Sequence, residues 1–166
     1  MGIEIEKKFL LANDGWRGLD AGRLYRQGYL NSERGRTVRV RTVEEHGYLT
    51  IKGPAVGGVR PEYEYEIPVA DAVAMLQTLC PRPLIEKRRY RIGFQGFVWE
   101  VDEFFGDNQG LVLAEIELPS PDTFFEKPPW IGQEVTGDRR YANAALSRRP
   151  YRLWAEKTRL AASSSF

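Results

Sequence analysis

Residues 1–10 read MGIEIEKKFL, and the alternation in this stretch decides the fold predicted for the whole chain. Glu4, Glu6 and Lys8 fall on every second position, with Ile3, Ile5, Lys7 and Phe9 between them. Side chains two positions apart in a β-strand share one face and lie about 6.6 to 6.8 Å from each other. A strand here therefore places two like charges, Glu4 and Glu6, side by side, and something else in the fold must compensate for them.

The same alternation recurs along the chain in short segments. Turn-forming residues separate these segments, as in residues 31–36 (NSERGR) and 105–110 (FGDNQG). The segments predict eight β-strands, over residues 3–9, 24–30, 37–43, 48–53, 62–67, 85–92, 97–104 and 112–118. Three short helices are predicted in addition: one over residues 72–80, one beginning at Ser120, and one over residues 138–149.

The charged face of each predicted strand carries nearly one sign of charge. Arg39 and Arg41 share a face of the third strand, and Glu62, Glu64 and Glu66 share a face of the fifth. One explanation is a half-buried antiparallel sheet whose charged face meets water. Solvated faces usually mix signs, however, and two like charges about 7 Å apart repel by on the order of 2 kcal/mol at an effective dielectric constant of about 20.

A closed barrel removes this difficulty, because acidic and basic strands then neutralise each other across its interior. We therefore predict a mainly β (α+β) fold, namely a closed eight-stranded antiparallel β-barrel with its charged faces inward and a few helices outside. The alternate, apolar positions are predicted to pack on the exterior: Ile3, Ile5, Phe9, Val38, Val40, Ile67, Val101, Ile116 and Leu118. We predict one domain over residues 1–150 and a C-terminal extension over residues 151–166 with a disordered end.

Composition excludes several classes of protein. The chain has 166 residues, and 24 Lys and Arg against 23 Asp and Glu give a formal charge of +1, which does not favour nucleic-acid binding. The single cysteine, Cys80, cannot form an internal disulfide, and no zinc-ligand spacing is present. No apolar run reaches transmembrane length. We expect a cytoplasmic protein that binds neither nucleic acid nor membrane, and we leave a homodimer open.

The inward-facing charges suggest what the barrel binds. Glu4 and Glu6, like Glu115 and Glu117, are pairs of carboxylates of the kind that bind Mg²⁺ or Mn²⁺. The arginine-rich and lysine-rich strands suit phosphate oxygens. A polyphosphate with its metal ions fits both. We also expect Glu115 and Glu117 to repel each other in the metal-free protein.

An ordered set of motifs resembles one known family. The set comprises ExExK at residues 4–8, RVR at 39–41, TIK at 50–52, EYE at 62–64, Lys87-x-Arg89, ExE at 115–117 and EVTGDRRYANAAL at 134–146. Together these motifs resemble the CYTH superfamily, the triphosphate tunnel metalloenzymes, from Ile3 to about Leu146. The resemblance implies an eight-stranded tunnel that hydrolyses or transforms a triphosphate with divalent metal ions.

The resemblance also implies roles by position. Metal ligands are expected at Glu4, Glu6, Glu115 and Glu117, and phosphate-binding groups at Lys8, Arg39, Arg41, Lys52, Lys87 and Arg89. Apart from the resemblance, strand parity predicts supporting carboxylates inside the barrel at Glu62, Glu64, Glu100 and Asp102. Glu100 and Asp102 are expected to be counter-ions that orient the arginines and lysines, with a role as metal ligands as the alternative.

RQGYL at residues 26–30 and PPWIGQEVTGDRRY at 128–141 are most similar to the short bacterial members that act as inorganic triphosphatases. In these members a tyrosine matching Tyr29 is a proposed proton acceptor, so the catalytic set expected is Tyr29, Lys8, Arg41 and Lys87. Water activated by the metal is the simpler nucleophile. The expected reaction converts tripolyphosphate and water to pyrophosphate and phosphate. The alternatives are an adenylyl cyclase of class IV type, a thiamine triphosphatase, and a non-catalytic polyphosphate-binding domain.

Overall fold

The structure is a computed structural model that describes residues 2–155. Within these residues the strands are β1 (Gly2–Leu11), β2 (Arg23–Asn31), β3 (Thr37–Val43), β4 (His46–Lys52), β5 (Val59–Ile67), β6 (Ile85–Phe94), β7 (Phe97–Phe104), β8 (Val112–Glu117) and β9 (Ile131–Glu134). The helices are α1 (Val69–Thr78) and α2 (Asn143–Arg148), with single 3-10 turns at Glu33–Gly35, Gly106–Asn108 and Arg139–Tyr141. Residues 151–155 are also helical.

The first eight strands form a closed antiparallel barrel, as the sequence predicts. Around the ring the order is β1, β5, β4, β3, β2, β6, β7, β8 and back to β1. Strand β1 joins the two ends of the sheet, since Gly2–Ile5 pair with β5 and residues 6–10 pair with β8. The backbone of Gly58 lies tightly against β1 at this junction, where Glu6 donates its N–H to the Gly58 carbonyl. A Cβ on Gly58 would collide with the Glu6 carbonyl oxygen, and its φ of +82° also favours glycine.

Apolar residues on the outside of the barrel form three clusters. The largest joins Phe9, Trp99 and Ile116 on β1, β7 and β8 to Trp16 and Trp130 from the flanking loops. A second packs α1 on β3 and β4, with Val40, Ala72 and Leu76 buried. The third, around Phe104, Tyr141, Leu146 and Trp154, packs the chain from β9 to residue 155 over one end of the barrel. The prediction that Ile3 packs against other residues on the exterior is wrong. Its side chain is 66% exposed, because none of these clusters covers it.

Several elements outside the barrel differ from those predicted from the sequence. Strand β9 was not predicted, and its four residues add to the far end of β1. No helix begins at Ser120, where the Ser120 N–H and the Thr123 hydroxyl close a turn instead. Helix α1 begins at Val69 after Pro68 rather than after Asp71. The predicted last helix is broken at Ala142, whose ψ of 135° is extended backbone.

Two further predictions concern the domain boundaries and membranes. The division at residue 150 remains a prediction, and Trp154 and Ala155 beyond it are buried. The predicted disordered end falls in residues 156–166, which lie outside the described residues. Within residues 2–155, no helix has the length and apolar character needed to cross a membrane.

Candidate active site

The interior of the barrel holds a charged cavity of about 290 Å³. The side chains that line it come from all eight barrel strands, because each strand turns one face inward; this face is charged in every strand except β2, which contributes two tyrosines. They are Glu4, Glu6, Lys8, Tyr25, Tyr29, Thr37, Arg39, Arg41, Lys52, Arg60, Glu62, Glu64, Lys87, Arg89, Arg91, Glu100, Glu115 and Glu117, joined by residues 142–144. The predicted site residues are thus brought together in one cavity, except Asp102, which lies behind its wall.

Four carboxylates of β1 and β8 form an acidic cluster on one side of the cavity, namely Glu4, Glu6, Glu115 and Glu117. Glu6 lies opposite Glu117 in the strand register, and Lys8 lies opposite Glu115. Burial, and then Glu115 and Glu4, raise the pKa of Glu6 to about 8. Among residues 2–155 Glu6 makes no ion pair, since Lys8 and Lys52 reach Glu115 and Glu4 instead. Burial, followed by Glu4 and Glu100, also raises the pKa of Glu117.

The expected repulsion at Glu115 is not observed. Lys8 Nζ lies 3.6 Å from Glu115, and Arg89 Nη2 lies 3.4 Å from it. Burial favours the neutral acid, but these two cations outweigh it and hold the pKa of Glu115 below its usual value. The predicted repulsion with Glu117 is therefore wrong for Glu115, which two cations stabilise, and the carboxylate left without an ion pair among the described residues is the half-buried Glu6.

Lys52 of β4 links the acidic cluster to Glu62 on the neighbouring strand β5. Its ammonium nitrogen lies 2.8 Å from Glu4 and 3.0 Å from Glu62. Burial raises the pKa of Glu4, and its hydrogen bond with Glu62 adds to this rise. Glu62 therefore shares one cation with a member of the acidic cluster.

Arg39 and Arg41 of β3 form a basic wall. Both guanidinium groups lie 3.3 Å from Glu64 of β5, which also accepts a 2.7 Å hydrogen bond from the Thr50 hydroxyl. Burial, then Arg39 and Arg89, lower the pKa of Arg41 to about 10. The Nε atoms of Arg39 and Arg41 are buried and have no hydrogen-bond acceptor among the described residues. This wall therefore carries positive charge and donors that an anion could satisfy.

A second basic group, Lys87 and Arg89 of β6, is held from behind by Asp102. Asp102 is 1% exposed and accepts 2.8 Å hydrogen bonds from Lys87 Nζ and Arg89 Nη2 and a 2.7 Å hydrogen bond from Arg89 Nε. Burial opposes its ionisation, yet Arg89 and Lys87 hold the pKa of Asp102 well below its usual range. Burial lowers the pKa of Lys87 to about 8. Arg89 also lies 3.3 Å from Glu100.

Several lining residues were not assigned a role from the sequence. The ring of Tyr25 lies 5.1 Å from the Arg41 guanidinium carbon and 5.2 Å from that of Arg89, so it separates two like charges. Tyr25 shares the inward parity of Tyr29, and this parity could have identified it. Asn143 accepts a 3.0 Å hydrogen bond from Lys87, and the Tyr141 carbonyl accepts one of 3.1 Å from Lys8. No alternation marks these two, because they enter the barrel from the segment after β9.

The acidic cluster has the chemistry of a divalent metal site. Its donors are carboxylate oxygens, which hard cations prefer, and Glu6 is half-buried beside other carboxylates without an ion pair to a described residue. Among residues 2–155, no three acidic, histidine or cysteine side chains stand in the arrangement of a formed metal site. Glu4 and Glu115 point to lysines instead. The residues present fit a hard divalent cation by charge and donor type.

The structure is thus a closed antiparallel barrel whose cavity is lined by both carboxylate and guanidinium groups. Residues 2–151 match the CYTH domain, and the chain belongs to the CYTH family, which implies a divalent metal. It is 54% identical over 156 residues to an inorganic triphosphatase of Acetivibrio thermocellus, covering 94% of this chain and all of that one. It is 39% identical over 149 residues to an inorganic triphosphatase of Nitrosomonas europaea, covering 87% of this chain and 96% of that one.

The fold is also found in solved structures. A crystal structure of an inorganic triphosphatase superposes with a TM-score of 0.62 at 34% identity, covering 86% of this chain and 96% of that one. The barrel predicted from the alternation of charges is therefore the fold of this family.

Proposed function

We propose that this protein is a metal-dependent inorganic triphosphatase that hydrolyses tripolyphosphate to pyrophosphate and phosphate. The observation that carries the proposal is the placement of the acidic cluster and the Arg39–Arg41 wall in one cavity. The names of the relatives support it, since proteins 54% and 39% identical to this one are inorganic triphosphatases. The substrate is a small triphosphate, and tripolyphosphate fits because the cavity is lined largely by charged side chains.

The metal proposed is Mg²⁺ or Mn²⁺, with Glu4, Glu6, Glu115 and Glu117 as the residues that hold it. A divalent ion there would withdraw charge from phosphate oxygens and make a water molecule a better nucleophile. Glu6 is the central ligand of this proposal, because it is the half-buried carboxylate that Lys8 and Lys52 leave without an ion pair among the described residues.

The cationic side chains bind and orient the phosphates. Lys8, Arg39, Arg41, Lys52, Lys87 and Arg89 line the cavity from four strands and offer donors from several directions. During phosphoryl transfer, negative charge spreads over the oxygens of the transferred group, and fixed cations stabilise it. Asp102 keeps Lys87 and Arg89 in place. Glu64 does the same for Arg39 and Arg41, so little reorganisation is needed when the substrate binds.

A cytoplasmic location remains a proposal. It is supported by Cys80, which is buried and unpaired, as is usual in a reducing compartment. A homodimer also remains a prediction.

Phosphate release tests the proposed activity. With Mg²⁺ or Mn²⁺ we expect tripolyphosphate to be cleaved with a higher kcat/KM than ATP or thiamine triphosphate, because an organic group adds bulk without matched contacts in a charged cavity. Excess EDTA should abolish turnover, and the metal ion should restore it. The measurement is malachite-green detection of phosphate beside a cyclic-AMP assay.

Three outcomes of this experiment count against the proposal. Full activity in excess EDTA would exclude a metal-dependent reaction. Cyclic AMP as the main product from ATP would assign the protein as an adenylyl cyclase. Binding of tripolyphosphate without turnover of any substrate would leave a polyphosphate-binding domain.

Arg41→Ala should impair the use of the phosphate substrate and leave metal binding nearly unchanged. Removing this guanidinium takes away a charged hydrogen-bond donor to phosphate, so kcat/KM for tripolyphosphate should fall by about 10- to 150-fold. Affinity for Mn²⁺, measured by calorimetry in the absence of phosphate, should stay within about threefold of wild type. The matched control is Arg26→Ala, because Arg26 is exposed and pairs with Glu86 outside the cavity. If the Mn²⁺ affinity of Arg41→Ala fell by as large a factor as its kcat/KM, phosphate binding and metal binding would not belong to different sides of the cavity.

A further inference from the structure

A chain of hydrogen bonds runs from Lys87 to Tyr29 at the end of the barrel that α2 covers. Lys87 Nζ donates to Asn143 Oδ1 at 3.0 Å. Gln27 Nε2 lies 3.3 Å from the same Asn143 oxygen and 3.3 Å from Tyr29 Oη. Gln27 is completely buried, and Tyr29 is 8% exposed and lines the cavity. Four residues from β2, β6 and α2 are thus linked behind the proposed substrate site.

The ammonium group of Lys87 determines which group donates and which accepts in each of these hydrogen bonds. An ammonium group can only donate, and Lys87 also donates to Asp102 at 2.8 Å. Asn143 must therefore present its carbonyl oxygen to Lys87. The same oxygen faces Gln27, so Gln27 must present its NH₂ group, because the opposite amide orientation would bring two carbonyl oxygens together. Gln27 Nε2 is then the donor to Tyr29, and the tyrosine oxygen is the acceptor.

Because Tyr29 accepts the hydrogen bond from Gln27, its own hydroxyl hydrogen can be donated to a group in the cavity. Within residues 2–155 the hydroxyl has one hydrogen-bond partner, Gln27, and that partner donates. Tyr29 is therefore oriented as a donor toward the cavity that also contains Arg39 and Arg41.

We propose that Tyr29 donates a hydrogen bond to a phosphate oxygen of the substrate, and that Gln27 and Asn143 are positioning residues that orient its hydroxyl group. This inference rests on the proposed function, since it requires a phosphate in the cavity. It changes the role expected for Tyr29 from the family resemblance.

Tyr29→Phe tests the role of the hydroxyl group. We expect kcat/KM for tripolyphosphate to fall by about 10- to 100-fold, because one hydrogen bond to a charged group is lost. The factor should be the same at each pH from about 6 to 7.5, where Lys87 keeps the proton that fixes the direction of these hydrogen bonds. Affinity for a diimido analogue of tripolyphosphate, measured by calorimetry with Mg²⁺, should fall by a similar factor. The matched control is Tyr65→Phe, whose hydroxyl belongs to a 57% exposed tyrosine on β5.

A proton acceptor would give a different pattern. The loss in Tyr29→Phe would grow as the pH rises, and analogue binding would equal that of wild type, because a base acts in the reaction and not in binding. Either result would overturn the inference. If wild type binds the analogue but hydrolyses nothing, the proposed function fails, while the binding difference between wild type and Tyr29→Phe still tests the hydrogen bond.

Gln27→Met tests the positioning role. Methionine is similar in size to glutamine but cannot donate, so the tyrosine hydroxyl should lose its fixed orientation and part of the analogue affinity. In the double variant with Tyr29→Phe, the loss should be no greater than in Tyr29→Phe alone, because Gln27 acts through that hydroxyl. Additive losses would show that Gln27 acts independently and would contradict its assigned role.

Discussion

Asp102→Asn should lower the free energy of unfolding by about 3 to 5 kcal/mol, the usual effect of removing one member of a buried ion pair. The amide has nearly the shape of the carboxylate but no charge. It leaves Lys87, which is 1% exposed, and Arg89 as buried neighbouring cations. Chemical denaturation in EDTA without phosphate measures the effect.

Two comparisons support the interpretation of this variant. Asp107→Asn removes a carboxylate that pairs with Arg152 at 3.4 Å on the surface, and it should change stability by less than about 1 kcal/mol. Tripolyphosphate should stabilise Asp102→Asn less than wild type, because Lys87 and Arg89 lose the anchor that aims them into the cavity. A stability within about 1 kcal/mol of wild type would show that Asp102 does not hold these cations.

Glu6→Gln should have the largest effect on activity and the opposite effect on stability. The variant loses an anionic metal ligand, and we expect kcat/KM to fall by more than about 100-fold and Mn²⁺ affinity by at least about tenfold. Glu66→Gln is the control, because Glu66 pairs with His46 and does not line the cavity. Equal Mn²⁺ affinities in wild type and Glu6→Gln would mean that Glu6 is not a ligand.

The stability of the metal-free protein should depend on Glu6 and on pH. The pKa of Glu6 is raised from 4.5 to about 8 by burial and by Glu115 and Glu4, so the folded protein binds this proton more tightly than the unfolded chain does. Wild-type stability should therefore decrease, relative to Glu6→Gln, as the pH rises from 4.5 to 8. Denaturation in EDTA at pH 5, 7 and 9 measures this difference, and parallel pH profiles would contradict it.

The barrel could be predicted from the sequence because its signal is local. Alternation within residues 2–11 or 37–43 fixes which side chains share a face, and strands of nearly one sign of charge require a closed interior. Strand β9 has four residues and forms only by pairing with the end of β1, so no local pattern indicated it. The turn at Ser120 was predicted to be a helix because Ser followed by Pro is also a helix start; here Thr123 closes the turn.

The residues that line the cavity could be predicted from the alternation of side chains along each strand, but the ion pairs between these residues could not. Glu6 and Glu115 have the same residue type and the same kind of sequence neighbourhood. Their pKa values move in opposite directions because Lys8 and Arg89 reach Glu115 and leave Glu6 without a partner among the described residues. Such pairs join strands distant in the sequence. Asn143 enters the cavity from α2 for the same reason, through packing that no periodicity records.

Anomalous diffraction at the manganese edge tests the central claim most directly, namely that the acidic cluster binds the metal and the facing cations bind the triphosphate. The crystal should be of wild type grown with Mn²⁺ and the diimido analogue of tripolyphosphate. We predict an anomalous peak coordinated by Glu6 with at least one of Glu4, Glu115 and Glu117, and phosphate groups in contact with Arg39 and Arg41. An anomalous peak outside the barrel, or an analogue bound on its exterior, would contradict the claim.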